Sequence, residues 1–266
     1  MALGLLATTI VLCLNGKAHA IEKVVILAPA AADVLERLGC GDSVIGVTNS
    51  VSGFPLAVKV GTHLNPGVEK IASLMPSLII ATSSFNPEFA ERMGAELFVY
   101  EPKTLDEILE CVRVLSRKLD REEQGRILAD ALQTVLDGLK MPQHRPTVLY
   151  ETRSAPLAIA KGNTVIRDLL ERAGMRYALP GNTGGLSAEY LMLNQPEYYI
   201  YQDGPMNRNP VRPSERSGWD IFRACSWKVD EFAFARPNTE LFETVRVLNS
   251  IINSEAPCAK GAAIYQ

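Results

Sequence analysis

Apolar residues along this chain follow two rhythms. Short unbroken runs recur at Val24 to Ala28, Val44 to Thr48, Leu78 to Ala81, Leu97 to Tyr100, Thr147 to Glu151, Tyr198 to Gln202 and Val229 to Phe234. Runs of this length read as buried strands. Between them lie stretches with helical spacing and helix punctuation. Ala30 to Leu38 is closed by Gly39, and Asn65-Pro66 supplies an N-cap and first helical residue for a helix that stops before Pro76. Thr104 and Glu107 form a capping box, opening a helix through Leu119 with Ile108, Leu109, Val112 and Leu115 inside. Further helices are predicted over Thr164 to Ala173, Ser187 to Asn194 and Asn238 to Ile252, with an irregular tail from Ser254. Strands alternating with helices predict parallel sheets covered on both faces.

One helix stands apart. From Asp120 to Leu139 the apolar residues Ile127, Leu128, Ala131, Leu132, Val135, Leu136 and Leu139 make a broad stripe. Asp120 and Glu123 have capping-box spacing, and Pro142 and Pro146 stop the element. At roughly 1.5 Å per residue it would be about 30 Å long. Its flanks resemble each other. Glu69, Pro76 and Ile80 keep the spacing of Glu189, Pro196 and Ile200. Likewise Asp33-Val-Leu-Glu-Arg-Leu-Gly39 matches Asp168-Leu-Leu-Glu-Arg-Ala-Gly174. Two pairs in the same order predict two similar lobes. The expected fold class is α/β: two similar lobes with parallel sheets, joined by one long helix. The expected boundaries are 21–119 for the first lobe, 120–141 for the bridging helix and 142–266 for the second lobe.

Composition narrows the function. Apolar residues make up 47% and charged residues 21%, which is a globular balance. The net charge of −3, with no long basic run, argues against nucleic acid as a partner. Ala2 to Leu14 is apolar but too short to span a bilayer, and Ala18-His19-Ala20 is a small-x-small cleavage site. Residues 1–20 therefore read as a cleaved signal peptide, although no Lys or Arg precedes the apolar run. Bulky Leu12 ahead of Cys13 argues against a lipoprotein. Export permits disulfides among Cys40, Cys111, Cys225 and Cys258, with the connectivity open.

Catalytic signals are missing. Only His63 and His144 remain after the leader, too few for a three-histidine metal site. There is no GxSxG elbow, Walker A loop or GxGxxG fingerprint; Gly39-Cys40-Gly41 lacks the third glycine. Tyr150, Glu151, Arg153 and Ser154 cluster after a strand, as polar residues do in any α/β cleft. An exported, bilobal chain without catalytic machinery reads as a ligand carrier, not an enzyme. In parallel sheets ligands gather at the carboxyl ends of strands. Those ends are Pro29 to Ala31, Thr48 to Ser52, Thr82 to Phe85, Tyr150 to Ser154 and Gln202 onward.

The run Val25-Ile-Leu-Ala-Pro-Ala-Ala-Ala-Asp33, then Ile45-Gly-Val-Thr-Asn49, Pro55, Val60-Gly61, Asn65-Pro-Gly-Val-Glu-Lys70 and Pro76-Ser-Leu-Ile-Ile80 resembles the periplasmic binding proteins for vitamin B12, haem and iron–siderophores. Gly162, Ile166-Arg-Asp-Leu-Leu170, Gly174, Leu186-Ser-Ala-Glu189 and Pro196 extend the likeness through the second lobe. The resemblance implies a monomeric periplasmic carrier, stiff and with limited lobe closure, that delivers a metal chelate to an ABC importer. Iron–siderophore and haem are expected ahead of cobalamin; an oxyanion such as molybdate, or an exported bilobal enzyme or sensor, are the alternatives. No intrinsic cofactor is expected; the iron or cobalt belongs to the cargo.

The expected ligand wall is Pro29, Ala30, Thr48, Asn49, His63, Ser84 and Phe85 on one side and Tyr150, Arg153, Asn182, Gln202, Arg208 and Arg212 on the other. His63 lies in the loop where B12 binders carry an aromatic; an imidazole there is a candidate axial ligand to iron or cobalt, against the alternative of a solvated loop histidine. Arg216, with Arg208 and Arg212, is a candidate partner for anionic ligand groups. Trp219 and Tyr150 are candidate stacking surfaces, Phe232, Phe234 and Arg236 candidate floor residues, and Trp227 a core residue. Glu69 and Glu189 each open a predicted helix, where an acid favours the dipole. The resemblance implies more: one glutamate per lobe docking on arginines of the permease dimer.

Overall fold

The computed structural model describes residues 23–179 and 187–261. The first sheet is built from β1 (Val24–Ile26), β2 (Val44–Val47), β3 (Val58–Lys59), β4 (Leu78–Ala81) and β5 (Glu96–Val99), with α1 (Ala31–Arg37), α2 (Val68–Leu74), α3 (Pro87–Arg92) and α4 (Leu105–Lys118) between and after them. Strand order is β3-β2-β1-β4-β5, and every pairing is parallel. Helix α5 (Glu122–Asp137) leads to the second sheet. There β6 (Thr147–Ser154) and β7 (Leu157–Ile159) form an antiparallel hairpin, followed by α6 (Val165–Arg172), β8 (Arg176–Tyr177), α7 (Ala188–Leu193) and β9 (Tyr198–Asp203). The chain ends through β10 (Cys225–Asp230), α8 (Glu231–Ala235), α9 (Glu240–Ile252) and α10 (Pro257–Gly261).

The two sheets share one plan. β1 lies between β2 and β4, and β6 lies between β8 and β9, all parallel. β5 extends the first sheet beside β4 as β10 extends the second beside β9. The molecule is thus two α/β lobes, as the internal repeat predicts. Parallel sheets need cover on both faces. Val24, Ile26, Leu78 and Ile80 face α1 and α4, while Val25, Ile79 and Ala81 face a separate cluster with Ile71 and Ala90. The first of these cores does not stop at the lobe boundary. It runs through Leu109, Val112 and Leu132 to Val148, Leu169, Trp227 and Phe242.

The helix that joins the lobes is α5, and it packs as a hairpin against α4 of the first lobe. Asp120 is not an N-cap: it takes a left-handed φ of 55°, and Arg121 N–H bonds Ser116 C=O at 2.8 Å. That closes the C-terminus of α4 and spends Asp120 in the turn. Helix α5 starts at Glu122, and Glu123 pairs with Arg126 instead of capping. The buried face is Gly125, Ala129, Leu132 and Leu136; Ile127 and Ala131 are exposed. The face is rotated because α4 packs against α5 across Gly125. A Cβ on Gly125 would sit 2.1 Å from Ser116 Oγ.

Other differences have local causes. Asn65 and Pro66 do not start α2. Their backbone closes a loop, with Asn65 C=O accepting from Thr62 N–H at 3.3 Å and Gly67 N–H donating to Val60 C=O at 2.7 Å. The run predicted as a strand over Val229 to Phe234 splits at Asp230, whose carboxylate accepts from Ala233 N–H and opens α8. Helix α3, capped by Asn86 with Pro87 next, lies in a stretch too short to show a period. In the tail, α10 is held to β10 by a Cys225–Cys258 disulfide, while Cys40 and Cys111 form no disulfide. The Thr104 cap forms as expected, accepting from Glu107 N–H.

Gly125→Ala tests the hairpin. Helix propensity favours alanine by about 1 kcal/mol, but overpacking of a tight contact costs about 1–3 kcal/mol. With so short a separation the overlap should win, lowering the melting temperature by several degrees. A variant as stable as the parent would show that α4 and α5 do not meet this closely.

Candidate ligand-binding cleft

Hydrogen bonds between the lobes lie near the carboxyl edges of the two sheets. Tyr100, directly after β5, donates its hydroxyl to Pro237 C=O at 2.8 Å. Thr239 donates to Asp33, in the first turn after β1. Leu105 N–H donates to Asp168, in the first turn of α6. Carboxyl edges are where an α/β fold presents loops to a ligand.

On the first lobe, Pro29 and Ala30 follow β1 and are half-buried, and Asn49 is exposed after β2. Asn49 N–H donates to Gly61 C=O at 2.8 Å, tying its loop to the one that carries His63. Gly61 has φ 105°, and a Cβ there would lie 2.7 Å from Asn65 C=O. Only glycine closes this turn without strain. The turn leaves His63 and Leu64 exposed at its tip. Ser84 is exposed and shares a 2.7 Å hydrogen bond with the Thr82 hydroxyl. Two candidates turn inward. Thr48 is fully buried at the end of the β1–β2 ladder, and Phe85 packs beneath β4 against Phe89.

On the second lobe, Arg153, Arg208 and Arg212 are exposed. Arg153 Nε donates to Pro156 C=O at 3.2 Å. Arg208 and Arg212 have no ion-pair partner among the described residues. Asn182 lies outside the described residues. Tyr150 and Gln202 are fully buried, and Tyr150 donates to Gln202 Oε1 at 3.1 Å. Both strands point these side chains into the lobe, so they support the edge from below instead of lining it.

Arg216 and Trp219 also differ from expectation, and together they expose what the sequence reading missed. Glu151 is completely buried, and its carboxylate takes two bonds from Arg216, at 2.5 and 2.9 Å. It also accepts from the Tyr199 hydroxyl at 2.6 Å and from Asn207 Nδ2 at 3.4 Å. The guanidinium lies 4.9 Å over Trp219 and 5.9 Å from the Tyr201 ring. Burial works against the Arg216 charge, but the bonds to Glu151 overcome it and hold its pKa above the ordinary value. Burial and the Glu151 charge push the Tyr199 hydroxyl far above its usual range. A buried carboxylate with this many donors has its hydrogen-bonding capacity filled, which is what lets it sit inside the lobe. It anchors the loop after β9. Asn207 Oδ1 accepts from Ser154 N–H at 3.0 Å, Asn207 Nδ2 donates to Gln202 C=O at 2.8 Å, and Met206 N–H donates to Glu231. Arg216 and Trp219 are therefore spent inside the lobe. A glutamate in the apolar run of β6 was the available signal.

Phe234 is buried beside Tyr150, whereas Phe232 is exposed with Arg236 stacked 3.7 Å over its ring. Trp227 is a core residue, as expected. Glu69 and Glu189 occupy the first turns of α2 and α7, the helices that precede the equivalent strands β4 and β9, and both are exposed. The Ser187 hydroxyl and its own backbone amide hold the Glu189 carboxyl below its ordinary pKa. His144 pairs with Glu197 at 2.7 Å, beside the start of β6, away from the carboxyl edge. Among the described residues no three His, Cys, Asp or Glu side chains gather in a metal-holding cluster, and no helix is long and apolar enough to cross a membrane.

Residues 24–210 match the sequence model of the periplasmic binding protein family. That is more than half of the chain, and the chain belongs to this family. It is 27% identical over 265 residues to a vitamin B12-binding protein of Vibrio vulnificus, covering 94% of this chain and 93% of that one. The periplasmic haem-binding protein of Vibrio cholerae superposes with a TM-score of 0.73 at 15% identity, over 88% of this chain and 100% of that one. The periplasmic vitamin B12-binding protein of the same organism gives 0.66 at 20% identity, over 88% and 98%.

The buried ion pair makes a sharp prediction. Arg216→Ala leaves the Glu151 charge uncompensated and should cost about 3–5 kcal/mol in urea unfolding. Replacing both residues by Met should cost far less, because no charge is then stranded. Equal losses in the single and double variants would refute the pairing.

Proposed function

We propose that this chain is the periplasmic solute-binding component of an ABC importer and carries a metal chelate: an iron–siderophore, haem or cobalamin. The observation that carries the reading is the set of exposed residues at the two carboxyl edges. One edge presents an imidazole and apolar loop residues, the other exposed arginines, in a chain of the periplasmic binding protein family. Residues 21–119 and 142–266 serve as the lobes and 120–141 as the connector, with residues 1–20 a cleaved leader. The carrier acts as a monomer and holds no resident cofactor; iron or cobalt arrives with the cargo. Pro29, Ala30, Asn49, His63, Ser84, Arg153, Arg208 and Arg212 line the cleft, and His63 ligates the metal.

Protein purified from its native host should show what it carries. A Soret band identifies haem, a corrin spectrum cobalamin, and iron with a broad charge-transfer band a siderophore. Molybdenum without a chromophore would overturn the chelate reading in favour of an oxyanion. In the chelate cases, His63→Ala should weaken binding and shift the spectrum; an unchanged spectrum and affinity would make His63 a bystander.

Glu69 and Glu189 dock the loaded carrier on the permease dimer, one lobe to each subunit. Charges on a rim act mainly on encounter and orientation. Replacing both by Ala should leave ligand affinity intact while reducing permease association and uptake. Reversal to Lys at both sites should be worse, and both effects should shrink at high salt. Normal transport by the double variant would leave them as helix-start acids, and a loss of ligand affinity would place them on the wrong face.

A further inference from the structure

The repeated heptapeptide has a structural role that the binding site does not use. Asp33 and Asp168 occupy the same place in it and lie in the first turns of the equivalent helices α1 and α6. The apolar pairs that follow, Val34-Leu35 and Leu169-Leu170, are fully buried and fix both helices in the core. Each aspartate carries an arginine four residues on. Arg37 Nε lies 2.9 Å from Asp33, and Arg172 Nε lies 3.7 Å from Asp168. The two carboxylates are almost equally shielded, at 20% and 21% side-chain exposure.

Neither caps its own helix with its second oxygen. Asp33 Oδ2 accepts from Thr239 N–H at 2.9 Å and from the Thr239 hydroxyl at 2.5 Å, across 206 residues of chain. Thr239 is the N-cap residue of α9, and its own side chain caps nothing. Asp168 Oδ2 accepts from Leu105 N–H at 2.8 Å, across 63 residues. Leu105 is the first residue of α4. Helix α4 comes from the first sheet and α9 from the second. Each repeat therefore lends an anion to the positive end of a helix from the opposite lobe.

We propose that Asp33 and Asp168 form a reciprocal clasp: each is a positioning residue that holds a helix of the opposite lobe by an N-terminal amide, and together they set the angle between the two lobes. The inference does not depend on which ligand is carried. A cap that served only its own helix would need no partner so far along the chain. A single clasp would leave the lobes free to pivot about it, whereas two related by the internal repeat oppose that motion.

Hydrogen exchange on the whole chain tests this without ligand. In Asp33→Ala the Thr239 amide should exchange at least about tenfold faster, as expected on losing a charge-assisted bond. The deciding readout is the other amide. Leu105 should also speed up in Asp33→Ala, and Thr239 in Asp168→Ala, while the amides of β1 and β6 keep parental protection. Asp33→Asn keeps an acceptor for Thr239 and should recover part of the protection at both amides. If each alanine variant loosens only its own contact, the aspartates are independent local caps and the clasp is refuted. Should an alanine variant also loosen β1 and β6, Asp33→Asn and Asp168→Asn decide: they must show a smaller acceleration at both amides, and its absence overturns the proposal.

Discussion

The continuous apolar core is the constraint on which the rest of the structure depends. A parallel sheet must be covered on both faces, and here one face of each sheet is covered by the same mass of side chains. Leu109, Val112, Leu132, Leu169 and Phe242 belong to one cluster that contains Val24 and Ile26 from one lobe and Val148 and Trp227 from the other. Opening the lobes widely would expose part of that cluster, at roughly 25 cal/mol per Å² of apolar surface. The fold therefore resists large hinge motion before any ligand contact is considered. Polar contacts between lobes at Tyr100, Asp33 and Asp168 then decide orientation, which apolar burial, being non-directional, does not.

Within that frame the two lobes build their carboxyl edges differently. The first uses short turns tied to each other through backbone groups, as Asn49 is tied to Gly61. The second sends a long excursion from Asp203 to Cys225 and anchors it on a buried charge. An ion such as Glu151 is tolerated inside a protein only with its bonds filled. The need to fill them recruits Arg216, Tyr199 and Asn207 into one arrangement.

The sequence carried much of this and hid some of it for identifiable reasons. Strands such as Leu78 to Ala81 and the Thr104 cap were legible because their signals are local. The two-lobe plan was legible because the repeats preserve spacing. The true register of α5 was not, since its buried face depends on Gly125 meeting Ser116, a contact between helices. The same limit applied at the edge. His63, Arg208 and Arg212 appear where strand ends place them, but the inward turn of Tyr150, Gln202 and Phe85 depends on which face of a strand or loop each occupies. Arg216 looked like its neighbours Arg208 and Arg212 because the difference between them is Glu151, 65 residues away.

The anchoring of the loop after β9 separates two jobs along one stretch of chain. Asn207, Arg216 and Trp219 point inward and hold the loop, while Met206, Arg208, Val211 and Arg212 point outward. The outward set touches none of the anchoring bonds through its side chains, so it is free to vary without unseating the loop. Such a layout lets a lineage, or an engineer, exchange the exposed residues of the loop while the scaffold stays constant. The loop is an interchangeable face on a fixed mount.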